Sequence, residues 1–153
     1  MLAATGCLTP EPEAPRAEAS LPAVPVRNLQ DEAVRLEAAA GGRPALVSFW
    51  ATWCETCLTE VDALNRLDDH ARKDGGVVIG VAVGEPRGRA AAFAREHGIR
   101  YAQLVDEKLE LADALGQKRL PATIVLDRRG KVVFTGGALD ERALAAFRGA
   151  LSR

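Results

Sequence analysis

Two cysteines with two residues between them, Cys54 and Cys57, sit in the string Ser48-Phe49-Trp50-Ala51-Thr52-Trp53-Cys54-Glu55-Thr56-Cys57. Thiols at that spacing can close a disulfide and open it again, which is two-electron exchange with another dithiol or disulfide. Their surroundings suit that chemistry. Ala45 to Trp50 reads as a buried strand, and Leu58, Val61, Leu64 and Leu67 then recur at helical spacing, so the pair falls where a strand hands over to a helix. A thiol at a helix N-terminus meets unpaired backbone N–H groups and the positive end of the macrodipole, both of which favour thiolate. Cys54 is the candidate nucleophile. Cys57, one turn on and on the side of Val61 and Leu64, is expected to be less exposed and to act as the resolving thiol.

The elements that must position this pair follow from the rest of the chain. Residues 1–25 hold five of the eight prolines and no hydrophobic periodicity, which predicts an extended leader, with a single domain over 26–153. Val26 to Leu36 predicts a small hairpin, followed by a helical turn to Gly42. A helix is expected from Cys54 to about Lys73, closed at Gly75-Gly76. Val77 to Val83 is a continuous apolar run, as in a strand buried on both faces. Pro86 to His97 predicts a helix, Tyr101 to Val105 a short strand, and Leu109 to Leu115 a short helix. Thr123 to Leu126 and Val132 to Thr135 flank the turn Asp127-Arg128-Arg129-Gly130 as a hairpin, and Asp140 caps a last helix, Glu141 to Leu151. This order predicts an α/β fold with a central mixed β-sheet flanked by helices on both faces.

Composition narrows the function. The 153 residues are 48% hydrophobic and 27% charged with a net charge of −1, enough for one domain with its own core and without a basic block for nucleic acid or a charged membrane surface. No run of about eighteen apolar residues occurs, so no membrane-spanning helix is expected. A zinc site would need two more ligands beside the C-x-x-C pair, and Cys7, His70 and His97 lack ligand-like spacing, so no metal and no cofactor are expected. Gly84-Glu85-Pro86-Arg87-Gly88-Arg89 lacks the glycine pattern and lysine of a phosphate loop and reads as a loop entering a helix.

With C-x-x-C at a strand-to-helix turn and Leu120-Pro121-Ala122-Thr123 before a later strand, the chain resembles the thioredoxin superfamily. Val47 to Cys54 and the string Leu120 to Gly130 are most similar to the TlpA/ResA-type extracytoplasmic thiol-disulfide oxidoreductases, and the resemblance covers about residues 26–151. It implies a thioredoxin-like fold and a cis proline at Pro121 beside the disulfide, with Leu120 and Trp53 as substrate contacts. It also implies a proton-exchanging role for Glu60, three positions after the second cysteine; thioredoxin's own buried aspartate is replaced here by Ser48. Thr56 and Asp62 stand where this family often has proline, so the redox potential is not inherited.

Leu2-Ala3-Ala4-Thr5-Gly6-Cys7 resembles the end of a bacterial lipoprotein signal, which would make Cys7 a lipidation site and the leader a tether; the basic and apolar regions of a full signal are missing. The function implied is reduction of specific extracytoplasmic protein disulfides by a monomeric, lipid-anchored periplasmic protein that draws on a membrane or periplasmic electron donor. The alternatives are a disulfide-donating oxidase and a non-enzymatic module that binds a metal or a partner.

Overall fold

The computed structural model describes residues 20–153, so the expectations on Cys7 and most of the leader lie outside the described residues. One mixed seven-stranded sheet organises the chain. Its strands are β1 (Pro25–Asn28), β2 (Ala33–Arg35), β3 (Ala45–Trp50), β4 (Val77–Val83), β5 (Ala102–Asp106), β6 (Ala122–Leu126) and β7 (Val132–Gly136), laid side by side as β2-β1-β5-β4-β3-β6-β7. β3, β4 and β5 run parallel, while β6 and β7 on one side and β1 and β2 on the other are antiparallel to their neighbours. The helices are α1 (Leu36–Ala40), α2 (Glu55–Thr59), α3 (Val61–Lys73), α4 (Arg87–Glu96), α5 (Glu110–Ala114) and α6 (Glu141–Leu151).

The two faces follow from the two-residue period of a strand. Ala45, Val47 and Phe49 of β3 pack with Leu36 and Ala40 of α1 and Leu111 and Ala112 of α5. Leu46, one residue out of step, packs with Leu64 and Ala71 of α3 and Phe147 and Ala150 of α6. Every residue of β3, β4 and β6 is buried, as central strands covered on both sides require. The layered arrangement of helices on both faces of a mixed sheet is the one read from the sequence.

Two features depart from that reading. The helix expected to run unbroken from Cys54 is two helices with a break at Glu60, whose backbone (φ −88°, ψ −13°) turns its N–H onto Cys57 and Leu58 carbonyls instead of continuing the regular ladder. Leu58, which shares the helical spacing of Val61 and Leu64, lies before the break and is exposed, whereas Val61 and Leu64 after it are buried. The second departure is polar. Asn65 and Asp68 of α3 are buried, where Asn65 takes the Arg100 N–H and donates to the Gly98 carbonyl, and Asp68 takes the Val78 N–H and the Arg72 side chain. These bonds fasten α3 to the starts of β4 and β5, and so fix the helix that carries Glu60 against the sheet.

Candidate active site

The site lies at the C-terminal ends of the parallel strands β3 and β4, the edge at which open α/β sheets place ligands and reacting groups. β3 ends at Trp50, and Ala51 to Trp53 form a turn closed by the Cys54 N–H on the Ala51 carbonyl at 3.1 Å. Cys54 is the N-cap of α2. Its sulfur accepts the Cys57 N–H at 3.2 Å, so a backbone donor that a helix start leaves unpaired points at Sγ. Cys54 and Cys57 form a disulfide, with Cα atoms 5.3 Å apart.

The expected difference in depth between the two cysteines is absent. Cys54 is 7% exposed and Cys57 6%. The N-cap position folds Cys54 under the same apolar cover as its partner: both belong to a cluster with Trp50, Ala51, Ala82, Ala90 and Val105, flanked by Phe93 and Leu120. Trp50 is core, its ring 5.2 Å from that of Phe93 and its Nε1–H donated to Gln103 Oε1 at 2.9 Å. Gly80 makes room for that amide, since a Cβ there would stand 2.5 Å from Gln103 Nε2. Trp53, by contrast, is 71% exposed at the rim. Leu120 packs against the cysteine cluster, and the Leu120–Pro121 peptide is cis.

Glu60 is buried at the break between α2 and α3, and its Oε1 accepts the Leu139 N–H at 2.8 Å across 79 residues of chain. Burial raises its carboxyl above the ordinary glutamate value, and the Leu139 N–H partly offsets this. The same neighbourhood raises the Tyr101 phenol, first through burial and then through the Glu60 charge. A raised carboxyl has a definite linkage to stability. Below the unfolded value Glu60 is neutral in both states and carries no penalty. As pH climbs from there through the raised folded value, the unfolded chain releases its proton first and stability is lost. Glu60→Gln keeps an acceptor for Leu139 and has no proton to release. Its denaturation midpoint is expected to gain on that of the parent between pH 4 and pH 7; a constant difference across that range would show that Glu60 does not titrate with a raised value.

One residue of the site, Glu85, belongs in the sequence pattern only to a loop entering a helix. Glu85, 2% exposed at the exit of β4, reaches across to the exit of β3, where one carboxylate oxygen accepts the Thr52 N–H and the other the Thr52 hydroxyl at 2.5 Å. It ties down the turn that presents Cys54. The signal is faint but present, since an acidic residue two positions after the apolar run Val77 to Val83 must end up at the same edge as a residue following β3.

His70 and His97 stand at helix ends, where His70 Nδ1 lies 2.7 Å from the Arg66 carbonyl and the His97 ring 4.0 Å from Phe93. Among the described residues no group of three or more His, Cys, Asp or Glu is placed to hold a metal ion, and no helix is long and apolar enough to cross a membrane. A groove of about 400 Å³ opens beside the disulfide, with Trp53 and Leu120 in its walls. A cavity of about 610 Å³ lies elsewhere, between Leu21, Glu37 and the 127–131 turn, and contains none of the site residues.

The chain is similar to known proteins. The chain is 33% identical to the thiol-disulfide oxidoreductase ResA of Geobacillus thermodenitrificans over 65% of its own length and 59% of that protein, so it spans well under two thirds of this relative. It is 32% identical to the thiol:disulfide interchange protein DsbE of Pasteurella multocida over 78% of its length and 67% of that protein. A crystal structure of a thiol:disulfide interchange protein of the thioredoxin family from Chlorobium tepidum TLS superposes with a TM-score of 0.73 at 21% identity, over 90% of this chain and 99% of that one, a likeness of fold. The family model described as AhpC/TSA matches residues 12–135, a span that takes in the β3 exit, both cysteines, the Glu85 loop and the cis proline; the chain thus belongs to the AhpC/TSA family of thioredoxin-like proteins.

Proposed function

We propose that this protein is a thiol-disulfide oxidoreductase that reduces specific protein disulfides outside the cytoplasm. The observation that carries the reading is the Cys54–Cys57 disulfide at the start of α2 with the Cys57 N–H on Cys54 Sγ, an arrangement that stabilises a thiolate once the bond is opened. In the reduced protein the Cys54 thiolate attacks one sulfur of a substrate disulfide. A Cys54–substrate disulfide forms and the other substrate sulfur leaves as thiolate. Cys57, deprotonated, then attacks Cys54 Sγ, which restores the internal disulfide and releases the second substrate thiolate; two electrons have passed to the substrate, and both departing thiolates take up protons. Glu60, three residues after Cys57 and raised by burial, is the group assigned to exchange the proton of the buried thiol. Trp53, Leu120 and Pro121 are assigned to contact the substrate, and a dithiol donor in the membrane or periplasm to regenerate the protein.

Three further assignments rest on the sequence: a leader over 1–25 ahead of one domain, a lipidated Cys7 that tethers it in the periplasm, and a monomeric state. The names of the ResA and DsbE relatives support the activity, and the family resemblance of the strings around Cys54 and Pro121 supports the direction.

The test is the reduction potential of the Cys54–Cys57 pair in defined thiol buffers, read through the neighbouring tryptophans. The expected value lies near about −270 mV, in the range of thioredoxin. A value near about −120 mV would make the protein a disulfide donor instead. The absence of any reversible two-electron transition would remove the redox reading and leave a binding module.

A further inference from the structure

Of the large apolar side chains exposed among the described residues, the two most exposed are Trp53 at 71% and Leu109 at 42%. They stand 56 positions apart in sequence and line the same groove beside the disulfide. Apolar surface left open in two places along one groove marks a contact site rather than a packing accident.

Leu109 is held there against its own backbone preference. Its φ is +64°, a left-handed conformation that a leucine rarely adopts, and it is fixed by its N–H on the Asp106 carbonyl at 3.2 Å and by its carbonyl receiving the Asp113 N–H at 2.9 Å. Gly84, also at positive φ (+68°), forms the floor. Its N–H shares the Asp106 carbonyl, and the open space at its missing Cβ is bounded by the Leu109 side chain at 3.7 Å.

The charged side chains lining the groove are Lys118 and Arg119, both cations. Lys118 is matched by Asp113 at 2.8 Å, whereas Arg119 is exposed and has no ion-pair partner among the described residues. Arg119 directly precedes Leu120, which packs against the cysteine cluster, so this unmatched charge sits next to the point of chemistry.

We infer that the groove reads the sequence around the substrate's reacting cysteine, seating an apolar side chain between Trp53 and Leu109 and an acidic one at Arg119. The inference rests on the exchange reading above and names its substrate class: a protein segment in which the cysteine has an apolar and an acidic neighbour. Apolar contact supplies affinity, and the charge supplies discrimination and encounter rate.

The experiment follows oxidation of the reduced protein by small cyclic disulfide peptides that carry Leu with Glu, Leu with Lys, or Ser with Glu beside the cysteines, alongside hydroxyethyl disulfide. At low salt the Leu-Glu peptide is expected to react about three- to tenfold faster than the Leu-Lys peptide, and the gap to shrink in high salt. Arg119→Gln is expected to flatten the charge preference and Arg119→Glu to invert it, while Leu109→Ala reduces the preference for Leu over Ser. Equal rates for the acidic and basic peptides, or a charge preference that survives in Arg119→Glu, would overturn the inference. If hydroxyethyl disulfide is reduced but the peptide series is flat, the groove assignment alone falls. If neither hydroxyethyl disulfide nor any peptide is reduced, the exchange reading falls and takes the groove assignment with it.

Discussion

A Cys57→Ser variant is expected to stop halfway, holding its substrate as a stable mixed disulfide on Cys54, with turnover reduced on the order of 10³-fold or more. The reason is that the substitution removes the second nucleophile and leaves the first one's surroundings intact. The donor to Cys54 Sγ is the main-chain N–H of residue 57, which serine keeps, and Cys54 stays the N-cap of α2. Cys54→Ser is expected to be inert, with no adduct at all. Mass spectrometry of the two variants after incubation with a disulfide peptide separates the roles. The comparison has force because the cysteines are almost equally buried, so exposure does not choose between them and the N–H on Cys54 does. An adduct that accumulates on Cys57 in the Cys54→Ser protein and none in the Cys57→Ser protein would exchange the assignments.

The second large effect is expected at Thr52 and Glu85. Thr52→Val keeps the side-chain shape but takes away one of the two donors that face a buried carboxylate, and Glu85→Ala leaves the Thr52 N–H and hydroxyl without their acceptor. Each is expected to cost about 2–3 kcal/mol of unfolding free energy, the range for losing a hydrogen bond to a charged group inside a protein. Because both changes break the same contact, the double variant should lose less than the sum of the two. Denaturant titration of all four proteins measures this, and strict additivity would mean that the two side chains are not energetically coupled. The loss should be felt at the site as well, since the clamp holds the turn Ala51 to Trp53 from which Cys54 projects.

Residue types and spacing made much of this architecture legible. The uninterrupted run Val77 to Val83 is the observed β4 to the residue, because a strand covered on both faces has no polar position to blur its ends. Asp140 caps α6 as expected, its carboxylate accepting the Ala143 N–H at 2.9 Å, because a cap is settled by a side chain and a backbone group three residues apart. What was hidden depends on partners distant in sequence. The break at Glu60 accompanies a hydrogen bond to Leu139, and a helical pattern such as Leu58, Val61, Leu64 and Leu67 contains no trace of it. Equal burial of Cys54 and Cys57 depends on Phe93 and Leu120, from α4 and the segment before β6. The Glu85 clamp joins the ends of two strands that become neighbours only when the sheet forms. The strained Leu109 likewise looks like an ordinary helical residue in the sequence, because an apolar side chain at the edge of a helical pattern gives no sign of a positive φ.

The strand order also has a consequence in time. β3, which delivers the cysteines, lies between β4, made directly after it, and β6, whose residues come some seventy positions later. A chain that emerges from its N-terminus therefore presents Cys54 and Cys57 well before one side of β3 has a partner, and before Leu139 exists to donate its N–H to Glu60. Non-local pairing of this kind is slow to form. During that interval the thiols lack the cover that later shelters them, and whatever oxidant or chaperone the nascent chain meets acts on an open strand edge and two accessible sulfurs. For this topology, synthesis from the N-terminus makes the cysteine pair before the elements that enclose it.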